Sequence, residues 1–205
     1  MNLPRKDKYG VSRLSYSQIS LFKRSKSEYY ESYILGKPFE GNQYTDFGNR
    51  VGKALEHNDF CLFKKSEQTT LKKVKRLDEF EREVRLNYEG FYVLGFIDTN
   101  KSDFTKIIDY KTGGFNKEFQ YAEPSYNQLC LYALSLRQET GITPSLASVE
   151  FIRRNGNAFK GEALTVGDEV ISIPVDISLE RLKHVYWDTL NVAKQIEKFY
   201  LENKI

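Results

Sequence analysis

The sequence predicts an α/β (α+β) domain in which a central mixed β-sheet is flanked by helices. Three observations predict it. Runs of strand length and composition recur along the chain, "FYVLGFID", "TKIIDYKT", "LASVEFIRR" and "EVISIPV". Segments with helical spacing precede, interrupt and follow them. Fourteen Tyr and fourteen Phe, in a chain that is 40% hydrophobic and 29% charged, suffice for a substantial core in a soluble globular protein.

At 205 residues, with no internal repeat and no low-complexity linker, the chain is expected to be one domain spanning 1–205. Residues 1–12 read as a loose basic arm. A helix is expected from Ser17 to Ile34, capped by Ser15 or Ser17 and ended by Gly36. "DFGNRVGKALEHNDFCLFKK" places Val51, Ala54, Leu55 and Phe60 at helical spacing, giving a second helix. Residues 66–90 are mixed and highly charged, with Lys72, Lys73, Lys75 and Arg76 read as a solvated basic face. "FYVLGFID" and "TKIIDYKT", separated by "TNKSDF", fit an antiparallel hairpin. "EPSYNQLCLYALSLRQET" is a helix opened by Pro124 and closed near Gly141. "NGN" between "LASVEFIRR" and "NAFKGEALT" signals a tight hairpin, and "EVISIPV" adds a strand. A long terminal helix follows, with Ser178 as its cap.

Composition excludes several classes. The formal charge is only +3, from 31 basic and 28 acidic residues, so any nucleic-acid site must rest on a local field. No apolar run approaches the roughly 20 residues a bilayer requires, so no membrane role is expected. "MNLPRKDKYG" carries charge with no apolar core behind it, so no signal peptide is expected. The two cysteines, Cys61 and Cys130, imply a cytoplasmic compartment and cannot supply a four-thiolate iron–sulfur cluster.

The chemistry concentrates in the hairpin. Asp98 ends its first strand, and Asp109 and Lys111 share one face of its second because side chains alternate. Two carboxylates brought to one point repel unless a cation lies between them. Oxygen ligands of this kind suit Mg²⁺ or Mn²⁺. A neighbouring lysine can orient a water or stabilise charge on a phosphate. Taken alone, the three residues also fit a turn carboxylate beside an edge ion pair.

Acid, then acid-x-lysine on a sheet, resembles the active-site pattern of the PD-(D/E)XK nucleases. Gln128 and Tyr132, four apart on one helix face, resemble the Q-x-x-x-Y motif of the RecB-like branch. "GFID", "IIDYKTG" and "QLCLYAL" stand in that family's order and spacing. "LSYSQISLFKRSKSEYY" is similar to the opening of RecB-like domains, with Ser25 and Lys26 where cluster-bearing relatives have Cys-Pro. The chain thus resembles the cluster-free, stand-alone form common in phages and mobile elements, over nearly its whole length from Leu14.

The resemblance implies a restriction-endonuclease-like core and Mg²⁺- or Mn²⁺-dependent hydrolysis of DNA to 5′-phosphates, in recombination, repair or phage DNA processing. Asp98 and Asp109 would hold the metal, with the Tyr110 carbonyl completing its shell. Lys111 would position the attacking water, and Gln128 and Tyr132 would orient Lys111 or touch the DNA. An exonuclease is the leading expectation. An endonuclease or junction resolvase of the same fold, or a silent DNA- or partner-binding domain, stay open. A recombinase, annealing protein or helicase is the class of protein partner implied, and oligomeric state is open. The family's first motif, G-x-x-x-H-x-x-x-E, is altered: Gly48 and Glu56 are present but Gly52 replaces the histidine. Adjacent helix positions point about 100° apart, so Glu56 and His57 cannot both take the expected direction. Glu56 is the candidate metal ligand, reaching through the space Gly52 leaves.

Overall fold

The computed structural model describes residues 1–38 and 41–204. Among them, six strands form one mixed sheet: β1 Ser12–Ser15, β2 Glu79–Tyr88, β3 Phe91–Asn100, β4 Lys106–Gly113, β5 Leu146–Asn155 and β6 Thr165–Pro174. The order is β1-β3-β4-β5-β6, with β2 paired to β3 as well. β1 runs parallel to β3 and β4 parallel to β5, while the remaining pairs are antiparallel. Seven α-helices flank it: α1 Tyr16–Arg24, α2 Lys26–Tyr29, α3 Gln43–His57, α4 Lys65–Leu71, α5 Phe119–Ala122, α6 Gln128–Thr140 and α7 Leu179–Asn203.

Alternation along the strands divides the interior in two. Val149 and Phe151 of β5 face the larger core, built with Leu129, Ala133 and Leu136 of α6 and with Val185, Val192 and Ile196 of α7. Ile152 faces the smaller core, filled by Phe47, Val51, Ala54 and Leu55 of α3 and by Leu71 at the end of α4. α6 therefore covers one face of the sheet and α3 the other, with the reactive strands between them.

Local chemistry explains several element ends. Ser15 caps α1 and Ser178 caps α7, each accepting a backbone N–H from three residues on. α6 closes on Gly141 in the left-handed conformation. The expected single helix 17–34 is instead three pieces. Ser25 is extended and caps α2, which passes into a π-helical turn at Tyr30–Ile34. Local side-chain capping outcompeted helix continuity there.

Other expectations shift. Residues 1–12 are not a loose arm: Leu3 is fully buried, Ser12 belongs to β1, and the Asn2 N–H reaches Glu197 of α7. The second helix ends at His57, because Asn58 turns left-handed, so Phe60 packs from a loop. The charged stretch hides α4 and all of β2. α6 begins at Gln128 rather than Pro124. "NGN" makes no tight hairpin; Asn157 caps a 3₁₀ turn, and β6 is one long strand starting at Thr165.

Candidate active site

β3 has two edges, and β2 occupies one of them along its whole length. The other edge is shared. β1 pairs with Phe91 to Leu94, and β4 pairs only with Thr99 and Asn100. Between these two partners the sheet forks. Gly95 to Asp98 lie at the fork, so Asp98 sits where the ladder is interrupted rather than inside it.

The interruption lets a side chain do a strand's work. The Tyr110 N–H donates to Asp98 Oδ2 at 2.5 Å, tying β4 to β3 beyond their two paired positions. Asp109, fully buried, is directed to the same place from β4. Lys111 Nζ lies 2.6 Å from Asp109 Oδ2. The expected convergence of Asp98, Asp109 and Lys111 is therefore what the backbone produces.

Electrostatics follows from this crowding. Burial, and then the Asp109 carboxylate, push Asp98 up to about 7, against the pull of Lys111 and the Tyr110 N–H. Burial works against the charge on Lys111, but Asp109 and Asp98 outweigh it and hold the lysine above its ordinary value. A protonated lysine beside the Asp109 carboxylate, with Asp98 keeping its proton up to about pH 7, is thus the stable arrangement.

Asp109 Oδ2 has a second donor that the sequence did not disclose. The Tyr126 hydroxyl, just ahead of α6, donates to it at 3.0 Å and lies 3.3 Å from Gln128 Oε1. Gln128 Nε2 in turn donates to the Tyr132 hydroxyl at 2.7 Å. Gln128 and Tyr132 are joined to the acidic hairpin through Tyr126, as members of one polar chain. Tyr126 has no motif signal, since it precedes the helix that carries the motif. Asp109 Oδ1, by contrast, is buried and has no partner. A buried carboxylate oxygen left bare is costly, and beside Asp98 it fits a divalent cation. Asp98 and Asp109 are the residues that would hold one.

Glu56 takes a more distant place. It is partly exposed, with its carboxylate 3.8 Å from His57 Nε2. The open space beside Gly52 is present. Yet the acids that bear on Asp98 are Asp109 and Glu81, while Glu56 bears on Glu81. Glu81 holds a left-handed backbone, φ 50°, opposite Asp98 between two regular pairs of the β2–β3 ladder. A positive φ at a non-glycine residue costs energy and is often kept where function needs it. Glu81 was hidden because β2 itself was not recognised. No trio of His, Cys, Asp or Glu with metal-binding geometry occurs among the described residues. His57 is exposed, and the two cysteines are separate, Cys61 at the surface and Cys130 buried.

This architecture has solved counterparts. A crystal structure from Eubacterium rectale, of a protein named "Putative exonuclease", superposes with a TM-score of 0.62 at 9% identity, covering 95% of this chain and 83% of that one. At that identity the likeness is one of fold. The sequence model of the PD-(D/E)XK nuclease superfamily matches residues 60–169, which include Asp98, Asp109, Lys111, Gln128 and Tyr132. No curated protein matches the chain. The family match defines the class as a nuclease-type hydrolase of nucleic acids. The chain belongs to the PD-(D/E)XK nuclease superfamily, whose members generally use divalent metals. Glu56 lies outside the matched residues. No helix among the described residues is long and apolar enough to cross a membrane.

Proposed function

We propose that this protein is a Mg²⁺- or Mn²⁺-dependent DNA nuclease of the RecB-like branch, acting as an exonuclease that leaves 5′-phosphates. One observation carries the reading: Asp109 presents a buried, unpartnered Oδ1 beside Asp98, while Lys111 and Tyr126 both occupy its Oδ2. One oxygen is held in place and the other is left for a cation.

A divalent cation, when bound, supplies Lewis-acid charge beside the scissile phosphate. The chain's own residues do the rest. Asp98, in its deprotonated form, and Asp109 would hold it. Lys111, kept charged by the two acids, faces the reacting water and the charge that builds on the phosphate. Gln128 and Tyr132 hold Tyr126 and the lysine in register and offer donors to a phosphate or sugar. The Tyr110 carbonyl and Glu56 enter as further ligands by family analogy. A recombinase, annealing protein or helicase partner and a cytoplasmic place of action belong to the same proposal.

Linear single-stranded, linear duplex and circular DNA, each labelled at the 5′ or 3′ end, incubated in Mg²⁺ and in Mn²⁺, test it. Metal-dependent release of mononucleotides or short products from linear DNA is expected, with circular DNA spared. Nicking of circles would replace the exonuclease reading with an endonuclease. No cleavage in either metal would remove the nuclease reading.

A further inference from the structure

Lys111 borders a cleft of about 920 Å³ that runs from it between α1 and the segment preceding α6. Its wall concentrates charge that the whole chain does not have. Arg5, Lys23, Arg24, Lys37 and Lys111 line it against one carboxylate, Asp188, among the described residues. Lys23, Arg24 and Lys37 are each paired with an exposed or half-exposed acid, Asp188, Glu28 and Glu31. Such pairs are worth about 0–1 kcal/mol, so a phosphate can take their place. Between the cations stand aromatic rings: Tyr16 and Tyr121, each packed edge-on against Tyr126, and Tyr33 beneath the Arg5 guanidinium at 5.5 Å. Side-chain hydroxyls and amides, from Ser17, Ser20, Ser125 and Asn127, fill the rest.

We infer that this cleft binds single-stranded nucleic acid and delivers it to the hairpin, with Arg5, Lys37 and Arg24 on its phosphates and Tyr121 or Tyr16 under its bases. The inference rests on the nuclease reading for the kind of ligand. Cations alternating with aromatic rings are what an unpaired strand uses, because every base has a face to stack and every link a charge. The volume lies within the ~300–1,000 Å³ of ligand pockets, enough for a short run of nucleotides. The polar wall offers donors to sugar and phosphate, and stacking on a ring is open to every base, so sequence tolerance is expected. The N-terminal segment thereby has a role: burying Leu3 and tethering Asn2 to α7 hold Arg5 at the cleft.

The test is binding without chemistry. In EDTA, fluorescence anisotropy is followed with labelled oligothymidylate and oligouridylate of about 12 nucleotides, inside the ~4–16 range of single-strand sites, and with a blunt duplex of equal length. Either single strand should bind at least tenfold more tightly than the duplex. Tyr121→Ala should weaken binding roughly five- to a hundredfold, and Tyr121→Phe should restore it. Arg5→Ala should weaken it and lower the salt dependence by about one unit. Lys194→Ala, on the exposed side of α7, should leave it unchanged. Equal affinity for strand and duplex overturns the inference, as does indifference to both Tyr121→Ala and Arg5→Ala. Cleavage in Mg²⁺ or Mn²⁺ is scored separately. A chain that binds strands but never cuts loses the nuclease reading alone; one that cuts while ignoring these substitutions loses the cleft alone.

Discussion

Asp109 shows how one side chain can be given two jobs. Its Oδ2 receives Lys111 and the Tyr126 hydroxyl, and its Oδ1 receives nothing. Tyr126→Phe keeps the ring and removes one donor. A hydrogen bond to a charged group is worth about 1.5–3 kcal/mol, so Asp109 should swing more freely. Mn²⁺ affinity by calorimetry should fall severalfold and kcat should fall more than KM rises. Unchanged Mn²⁺ affinity would show that the tyrosine does not hold the carboxylate. Lys111→Ala should abolish cleavage, because Lys111 is the cation held against Asp109 at the hairpin. It also strips Asp109 of its counter-ion, so chemical denaturation should show a loss of about 1–3 kcal/mol without metal. Cleavage near the wild-type rate would remove Lys111 from the reaction. At this scale the sequence was informative where alternation decided the outcome, as for Asp98, Asp109 and Lys111. It was silent on Tyr126 and Glu81, whose roles come from where loop and strand happen to pass.

The elements explain that boundary. α7 and α6 were legible because a serine cap and a left-handed glycine mark their ends with local chemistry. β2 was not, although Val84, Leu86 and Tyr88 alternate with Glu83, Arg85 and Asn87 as in a half-buried strand; the charge density of residues 66–90 reads as a solvated face instead. The join between α6 and β3 depends on Gly95. A methyl group there would stand 2.3 Å from Tyr132 Cε1, so only a bare backbone lets the ring lie against the strand. Gly95→Ala should force α6 outward at a cost of about 1–3 kcal/mol and pull Gln128 off Tyr126. Denaturation midpoints should show the loss, and Tyr132→Ala in the same chain should recover part of it. If Gly95→Ala alone folds with wild-type stability and activity, the close packing is not what positions the motif. On α3, Glu56→Ala should lower activity far more than His57→Ala, whose ring is exposed. The reverse order of rates would assign the helix's function to the histidine.

For the whole molecule, the crowded site is a strain that the rest of the fold holds in place, and it links stability to pH and metal. The folded-state pKa of Asp98 is pushed to about 7 from an ordinary 3.8. Between those values the native protein keeps a proton that the unfolded chain has released. Stability must therefore fall as pH rises from about 4 to 7, and level off above. Lys111 stays charged across this window and does not change the sign. A cation held as proposed would compete with that proton for the same carboxylates. Its stabilisation, about 2.7 kcal/mol at a hundredfold excess over Kd, should be full above pH 7 and shrink below it. Thermal unfolding in EDTA and in Mn²⁺, between about pH 5 and 8, measures both effects. In EDTA the Tm should drop toward pH 8, and Mn²⁺ should restore it there more than at pH 5. Asp98→Asn carries neither proton nor charge, so it should flatten the EDTA profile, stand above wild type at pH 8, and lose most of the Mn²⁺ response. An asparagine variant with the full Mn²⁺ shift would place the cation elsewhere, and a wild-type profile flat in EDTA would mean that the two aspartates do not share their charge.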